Sequence, residues 1–163
     1  MVHIVTGKIN DRKTTRMIAL YERLGGDGFV SLKTMKNDTV HSYTAQRLST
    51  GEQRLLIIRD AYMPEDFNSK ENIGPYHFEK NCVEWIESTL KTLVEERVEP
   101  LFLDEVGILE MHDQGFANTV KAMVDSGLDV CFAVRETLLP DFLKQYAITD
   151  YRLIEEENDG FSH

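Results

Sequence analysis

The sequence predicts an α/β sandwich, in which a mostly parallel sheet carries helices on both faces. Its predicted elements follow the order strand, loop, helix, β-meander, helix, strand, helix, strand and helix. Two short, continuous apolar runs, residues 100–103 and 130–134, are typical of central strands that are covered on both sides. Amphipathic helical segments alternate with these runs, and this alternation favours an α/β fold with a largely parallel sheet.

The composition is ordinary for one globular domain. Of the 163 residues, 42% are hydrophobic and 28% are charged, so we expect residues 1–163 to form one domain with a sizeable core. The formal net charge of -10 argues against a general nucleic-acid binder, because such proteins carry surplus Lys and Arg. The chain has no apolar run of membrane-spanning length and no signal-peptide pattern, so we expect no membrane contact and a cytoplasmic protein.

The first half of the chain contains one predicted helix among short strands. Residues 2–7 form an apolar run that ends at a glycine and predict the first strand. Residues 15–24 place apolar side chains at three- and four-residue spacing before Gly25, which predicts an amphipathic helix with a glycine stop. Three β-rich runs separated by turn-forming residues predict an antiparallel meander added to the sheet: residues 29–33, 40–48 and 55–58.

The second half alternates predicted helices with the two central strands. Residues 60–75 are polar, contain two prolines and show no steady period, so we expect a long loop. Apolar residues recur on one side of two predicted helices, residues 78–97 and 116–124, and residues 138–146 predict a last short helix. Pro140 is compatible with the first turn of the last helix. Residues 152–154 predict an edge strand, and the acidic residues 155–159 predict a solvated end. Cys82 and Cys131 lie in apolar segments, which predicts two buried free thiols.

The first loop comes close to the phosphate-binding pattern G-x-x-x-x-G-K-[ST]. Gly7 fills the first glycine position and Lys13 and Thr14 fill the last two, but Arg12 stands where the second glycine belongs. In such a loop, backbone N–H groups and a helix amino terminus surround the phosphates, the Lys neutralises charge, and the hydroxyl binds Mg²⁺. Asn10 takes the place of an inner glycine and belongs to the few other residue types that visit positive φ readily. The Arg12 side chain either crowds the phosphate or adds a donor for it.

A second motif follows the apolar run at residues 100–103. Asp104 and Glu105 come directly at its end, which is the Walker B arrangement. There Asp104 would hold Mg²⁺ through its water shell, and Glu105 would take a proton from the attacking water. Because two independent halves of one phosphate site occur in the chain, we prefer this interpretation to a solvated turn.

With both motifs, the chain resembles the P-loop nucleoside-triphosphatase family known from thermophiles and as the cancer-related nucleoside triphosphatase. The similar segments are residues 5–15, 28–30, 73–76 and 103–116, and the resemblance covers about residues 2–134. Its most specific part is the DEIG-x-ME-type segment after the Walker B strand, which here stands as DEVGILEM. The resemblance implies a three-layer, RecA-like P-loop fold and slow, Mg²⁺-dependent hydrolysis of nucleoside triphosphates, ATP and GTP among them.

The resemblance also implies roles for single residues. It carries Gly7, Lys13, Thr14 and Thr15 over to phosphate and metal binding, whereas Asn10 and Arg12 depart from it by replacing two glycines of the family's loop. As parts of the same loop, Lys8, Asn10, Asp11 and Arg12 are also expected to contact the nucleotide. The metal falls to Thr14 and Asp104, the catalytic work to Glu105 and Lys13, and Glu110 braces the loop after the strand. Arg135 is a candidate arginine finger, because in RecA-like folds the strand beside the first one ends near the γ-phosphate.

Three functions are compatible with these residues. The first is a Mg²⁺-dependent nucleoside triphosphatase. The second is a P-loop protein that binds nucleotide and regulates a protein partner, with Arg12 preventing efficient turnover. The third is a P-loop kinase that passes the γ-phosphate to a small acceptor. This function is less favoured, because Glu105 beside Asp104 suits water as the acceptor. Tyr76 and Phe78 are candidates for contact with a base, and the scattered histidines predict no zinc site.

Overall fold

Strands from both halves of the chain join in one sheet that has helices on both faces, as the sequence predicts. The computed structural model describes residues 1–7, 12–106 and 116–154, without the side chains of residues 70, 71, 73, 105 and 106. The strands are β1 Val2–Gly7, β2 Asp27–Lys36, β3 Thr39–Arg47, β4 Gln53–Arg59, β5 Ser69–Ile73, β6 Tyr76–Glu79, β7 Leu101–Val106, β8 Val130–Arg135 and β9 Tyr151–Ile154. The helices are α1 Lys13–Leu24, α2 Lys80–Glu95, α3 Ala117–Asp125 and α4 Leu139–Gln145, and a 3₁₀ turn spans Asp60–Tyr62.

The sheet has a parallel and an antiparallel portion that meet at β2. Its strand order is β5-β6-β4-β3-β2-β7-β8-β1-β9. Neighbouring strands among β2, β7, β8, β1 and β9 pair in parallel, whereas neighbouring strands among β2, β3, β4, β6 and β5 pair antiparallel. The predicted α/β fold with an inserted meander is therefore confirmed. Since β2 pairs with β7 only through residues 27–29, the two strands separate beyond that point.

Two hydrophobic cores separate the three layers. On one face α1 packs against the sheet, with Met17 and Leu20 buried among Val5, Phe102 and Cys131. On the opposite face the other three helices contribute buried side chains to a larger core, among them Ile86, Leu90, Val120, Met123 and Phe142. Neighbouring residues of the central strands, such as Ile4 and Val5, are both buried because they point to opposite cores. The continuous apolar runs of these strands therefore follow from burial on both faces.

The predicted loop at residues 60–75 is wrong for much of its length. It contains the 3₁₀ turn and β5, and β5 forms a hairpin with β6 around Gly74 and Pro75. The strand β5 lies at the edge of the sheet, where backbone pairing on one side does not require an alternating apolar pattern. The helix predicted at residues 78–97 begins only at Lys80, because Phe78 lies in β6 and the Glu79 carboxylate caps the helix by accepting from the Cys82 N–H at 2.6 Å.

Other local predictions are confirmed. The β2–β3 turn places Asn37 and Asp38 at φ of 51° and 62°, as its turn residues indicate. Pro140 lies in the first turn of α4, and β9 pairs with β1 at the far edge. Both cysteines are buried free thiols, and burial raises the pKa of Cys82 to about 12. The acidic residues 155–159 lie outside the described residues. No helix in the described part of the chain has both the length and the apolar character to cross a bilayer.

Candidate active site

The carboxyl ends of β1, β8 and β7 define the candidate site. The strand β8 lies between the other two, and all three are parallel, so they end at the same edge of the sheet. Gly7 of β1 is opposite Arg135 of β8, and the Glu136 N–H donates to the Gly7 carbonyl at 3.0 Å. Ligands of open α/β sheets bind outside such carboxyl ends. Both predicted motifs and Arg135 therefore come to one edge of the sheet.

The helix α1 presents an amino terminus suited to an anion. It begins at Lys13, whose side chain is buried, and no acidic residue lies in its first turn. The Arg12 side chain, directly before the helix, accepts no capping hydrogen bond from the first N–H groups of α1. Helix amino termini of this kind attract phosphate through these N–H groups and through the helix dipole.

The first turn of α1 contacts the end of β7 directly. The Thr14 hydroxyl donates to a carboxylate oxygen of Asp104 at 2.5 Å, and the same oxygen accepts from the Ser31 N–H at 3.2 Å. Asp104 is only 3% exposed, so its charge is held by hydrogen bonds and not by water. The two halves of the predicted phosphate site, 90 residues apart in the chain, are thus in contact.

An irregularity in β7 sets the position of Asp104. Leu103 is opposite Phe132 and Val106 is opposite Val134, so β7 advances three residues while β8 advances two. One extra residue therefore lies in the segment of Asp104 and Glu105. Such bulges redirect side chains and are common beside active sites. The bulge lies where the motif predicts the acidic pair.

Asp104 also influences the interior beneath the site. Burial raises the pKa of the Cys131 thiol, and the nearby Asp104 carboxylate raises it further, whereas the Arg16 guanidinium acts in the opposite direction. Cys131 is fully buried and packs against the Met17 sulfur at 3.5 Å. A cation and an anion are therefore both held on the α1 face of the central strands.

The donor set at Thr14 and Asp104 fits a magnesium ion. Mg²⁺ prefers oxygen ligands and is usually held by one or two protein groups together with substrate phosphates. Within residues 1–7, 12–106 and 116–154, no group of three or more His, Cys, Asp or Glu side chains offers a complete metal cage. The Thr14 hydroxyl and the Asp104 carboxylate, in contact at a helix amino terminus, match a Mg²⁺ site that is completed by substrate phosphates.

The predicted site residues divide into three groups. Gly7, Lys13, Thr14, Asp104 and Arg135 lie at the common edge or in the first turn of α1. Arg12 directly precedes that turn and Thr15 lies within it, and both are exposed. The remaining predictions lie outside the described residues: Lys8, Asn10, Asp11, Glu110 and the side chain of Glu105.

The structure bears on Arg12 and on the two candidates for contact with a base. Arg12 has φ -83° and ψ 45°, so it does not require the left-handed conformation that favours glycine. Phe78 is buried in the core on the α2 face, so the prediction that it contacts a base is wrong. Tyr76 is half-buried beside Tyr43 and Arg59 on the antiparallel portion, four strands away from β7.

Sequence reasoning missed two residues that hold the site. Ser31 acts through its backbone N–H, and a backbone donor leaves no signal in residue type. Arg16 donates from its guanidinium to the Thr6 and Ile154 carbonyls, at 3.1 and 2.7 Å. The helical pattern places the positively charged Arg16 on a half-buried side of α1, which is a signal that this charge needs partners. Those partners cannot be identified without the strand order.

Two solved structures resemble this fold. THEP1 from the hyperthermophile Aquifex aeolicus matches with a TM-score of 0.70 and 21% identity, covering 95% of this chain and 89% of that one. The solution structure of a human cancer-related nucleoside triphosphatase matches with a TM-score of 0.65 and 16% identity, covering 96% of this chain and 89% of that one. At these identities the likeness shows the fold alone. No curated protein matches the chain.

A family model supplies the stronger link. The model of the family described as NTPase matches residues 2–160, which include every element of the sheet and both motifs. The resemblance expected from the Walker B segment is thereby confirmed. On this match, the chain belongs to the NTPase family of P-loop proteins.

Proposed function

We propose that the protein is a Mg²⁺-dependent nucleoside triphosphatase that slowly hydrolyses ATP- or GTP-type nucleotides to the diphosphate and phosphate. The contact of the Thr14 hydroxyl with the buried Asp104 carboxylate carries this proposal. It brings together the two oxygen groups that phosphate-transfer sites use for the metal. The match to the NTPase family supports the same class of reaction.

Thr14 and Asp104 would hold the metal in this proposal. When bound there, Mg²⁺ would supply positive charge that offsets the negative charge developing on the phosphate oxygens. The Ser31 N–H keeps the Asp104 carboxylate oriented toward Thr14, because it donates to the same oxygen. Lys13, at the first position of α1, would neutralise the β- and γ-phosphates.

The remaining roles concern bond cleavage. Glu105 would take a proton from a water whose oxygen attacks the γ-phosphorus, while the bond from that phosphorus to the bridging oxygen breaks and the diphosphate leaves. Arg135 would stabilise the charge on the transferring phosphoryl group as an internal arginine finger. Its position at the end of β8, opposite Gly7, supports this role.

Arg12 is the reason for a second candidate function, a nucleotide-binding regulator with impaired turnover. Its side chain would stand beside the phosphates that the loop surrounds. Two observations argue against impairment. The negative φ of Arg12 means that the backbone does not need glycine at this position, and the Arg12 side chain is exposed. A small-molecule kinase is the lesser alternative, because Glu105 next to Asp104 favours water as the acceptor.

The test is phosphate release from a panel of nucleoside triphosphates, with and without Mg²⁺. It compares the native chain with Glu105→Gln and Arg12→Gly, and with Glu95→Gln as a matched control on the exposed end of α2. We expect Mg²⁺-dependent release by the native chain and by Glu95→Gln, and a loss of about 100-fold or more in Glu105→Gln.

The other outcomes separate the alternatives. Nucleotide binding without phosphate release, together with release by Arg12→Gly, would favour the regulator. Release that needs a small acceptor molecule would favour the kinase. Release by Glu105→Gln at the native rate would contradict the proposed water-activating role of Glu105.

A further inference from the structure

Arg16 joins three parts of the chain that meet at the phosphate loop. It lies in α1, one turn after Arg12, and its own N–H donates to the Arg12 carbonyl at 3.0 Å. Its guanidinium donates through Nη1 to the Thr6 carbonyl at 3.1 Å and through Nη2 to the Ile154 carbonyl at 2.7 Å. Thr6 belongs to β1 and Ile154 is the last residue of β9.

We propose that Arg16 is a positioning residue that fixes the two ends of the phosphate loop relative to each other. This inference rests on the proposed function, since it assigns a role in nucleotide binding at the same site. The Thr6 carbonyl belongs to the peptide bond that leads into Gly7, and Arg16 lies in the helix that starts after the loop. One side chain therefore ties the strand before the loop to the helix after it.

Neighbouring hydrogen bonds complete this arrangement. The Gly7 carbonyl accepts from the Glu136 N–H of the segment after β8 at 3.0 Å. The two consecutive carbonyls at the end of β1 are thus held by Arg16 and by the backbone beside Arg135. On the helix side, Thr14 is held by Asp104. The two ends between which phosphate would bind are therefore fixed in advance, and preorganisation of this kind raises affinity because less freedom is lost on binding.

The chemistry of the side chain fits this role. A guanidinium presents several N–H donors in a rigid plane, so it can donate to two carbonyls at once, whereas a lysine ammonium is a compact point charge on a flexible stem. Charged donors also form stronger hydrogen bonds than neutral ones. The Arg16 charge acts on the buried centre of the sheet, where it opposes the rise in the Cys131 pKa, and it adds positive potential near the helix amino terminus.

The competing explanation is that Arg16 only attaches β9 to the sheet. Both roles predict some loss of stability when the guanidinium is removed. They differ in binding, because a purely structural loss lowers the folded fraction and leaves the affinity of the folded molecules unchanged. The KM and the dissociation constant therefore separate the two roles.

The experiment compares Arg16→Met, Arg16→Lys and the control Arg23→Met. Methionine keeps an unbranched stem without the donors, and Arg23 is an exposed residue in the last turn of the same helix. Binding of a non-hydrolysable nucleoside triphosphate analogue with Mg²⁺ is measured at a temperature where each variant is folded, as shown by circular dichroism. Phosphate release from the hydrolysable nucleotide is measured in parallel.

We expect Arg16→Met to weaken analogue binding by about tenfold and to raise KM by a similar factor. Arg16→Lys should recover part of the loss, and Arg23→Met should stay within about twofold of the native protein. A folded Arg16→Met variant with native affinity and native KM would overturn the inference. A native chain that binds the analogue but releases no phosphate would refute the proposed hydrolysis alone and leave the Arg16 comparison decisive. A native chain that binds no analogue would refute both.

Discussion

The Thr14 hydroxyl is the single group whose removal most directly tests the site. In Thr14→Val, Asp104 keeps the Ser31 N–H but loses the donor at 2.5 Å, so a buried carboxylate is left with poorer satisfaction. We expect the free energy of unfolding to fall by about 1–2 kcal/mol and phosphate release to fall by about 100-fold. Thr14→Ser keeps the hydroxyl and should lose much less of both. Urea unfolding and a phosphate assay measure the two effects, and equal losses in the Val and Ser variants would contradict the assignment.

Asp27 should give the protein a measurable pH dependence of stability. Burial raises its pKa, but the hydrogen bonds from Arg47, from Ser49 and from the Gly28 N–H lower it more, so the pKa lies below 3.8. Because the folded pKa is the lower one, the carboxylate contributes fully above the unfolded value and its contribution is lost as the pH falls through the folded value.

Replacing this carboxylate by an amide tests that dependence. We expect Asp27→Asn to lower the free energy of unfolding by about 2 kcal/mol at pH 7, where the native carboxylate is charged. The difference should shrink as the pH falls through the folded pKa, because the native side chain then takes up a proton. Urea unfolding of both proteins across this range provides the measurement. A difference that stays constant with pH would show that the lost charge is not the cause.

The junction of β2 with β7 depends on close backbone approach. Gly28 has φ of 144°, and a Cβ at this position would lie 2.1 Å from the Phe102 carbonyl oxygen. Gly51, in the β3–β4 turn, also has positive φ, at 75°, but a Cβ there would meet open space. We expect Gly28→Ala to cost about 3 kcal/mol and Gly51→Ala about 1 kcal/mol.

Chemical denaturation of the two alanine variants separates conformation from crowding. The Gly51 variant measures the cost of positive φ alone, whereas the Gly28 variant adds the clash with β7. Equal costs would mean that β2 and β7 adjust without strain. A larger cost at Gly28 would confirm that the parallel and antiparallel portions need backbone contact at their junction.

The elements that sequence reasoning identified are those with a physical signature in one segment. The runs at β7 and β8 are apolar because both cores cover them, and the β2–β3 turn carries residues that accept positive φ. The strand β5 has no such signature, because an edge strand is held by backbone bonds to β6 on one side. Segments of this type are recognised only once their partner is known.

The same distinction applies to the candidate site. Thr14 and Asp104 were predicted because phosphate chemistry dictates their residue types and their places after a glycine and a strand. The contributions of Ser31 and Arg16 depend on contacts across 73 and 138 residues, which only the strand order brings together. The motifs therefore predict the candidate metal-binding side chains, whereas the groups that orient these side chains and the ends of the loop could not be predicted.

For the molecule as a whole, the site links segments that are distant in the chain. Thr14 contacts Asp104 across 90 residues, and Arg16 reaches Ile154 in the last described strand. The strands that carry the site, β1, β8 and β7, are also the buried centre of the sheet. Separation of these groups therefore requires unfolding of the central sheet, so a ligand that binds them all should stabilise the protein against global unfolding.

We therefore expect Mg²⁺ with a non-hydrolysable nucleoside triphosphate to raise the thermal unfolding midpoint in a concentration-dependent way. A ligand that binds only the folded state contributes about 2.7 kcal/mol when its concentration is 100 times its dissociation constant. The measurement is calorimetry over a ligand series with and without Mg²⁺. Asp104→Asn, which loses the metal-binding charge, should show a smaller shift and little dependence on Mg²⁺. A native midpoint that does not move at any ligand concentration would contradict nucleotide binding at this edge of the sheet.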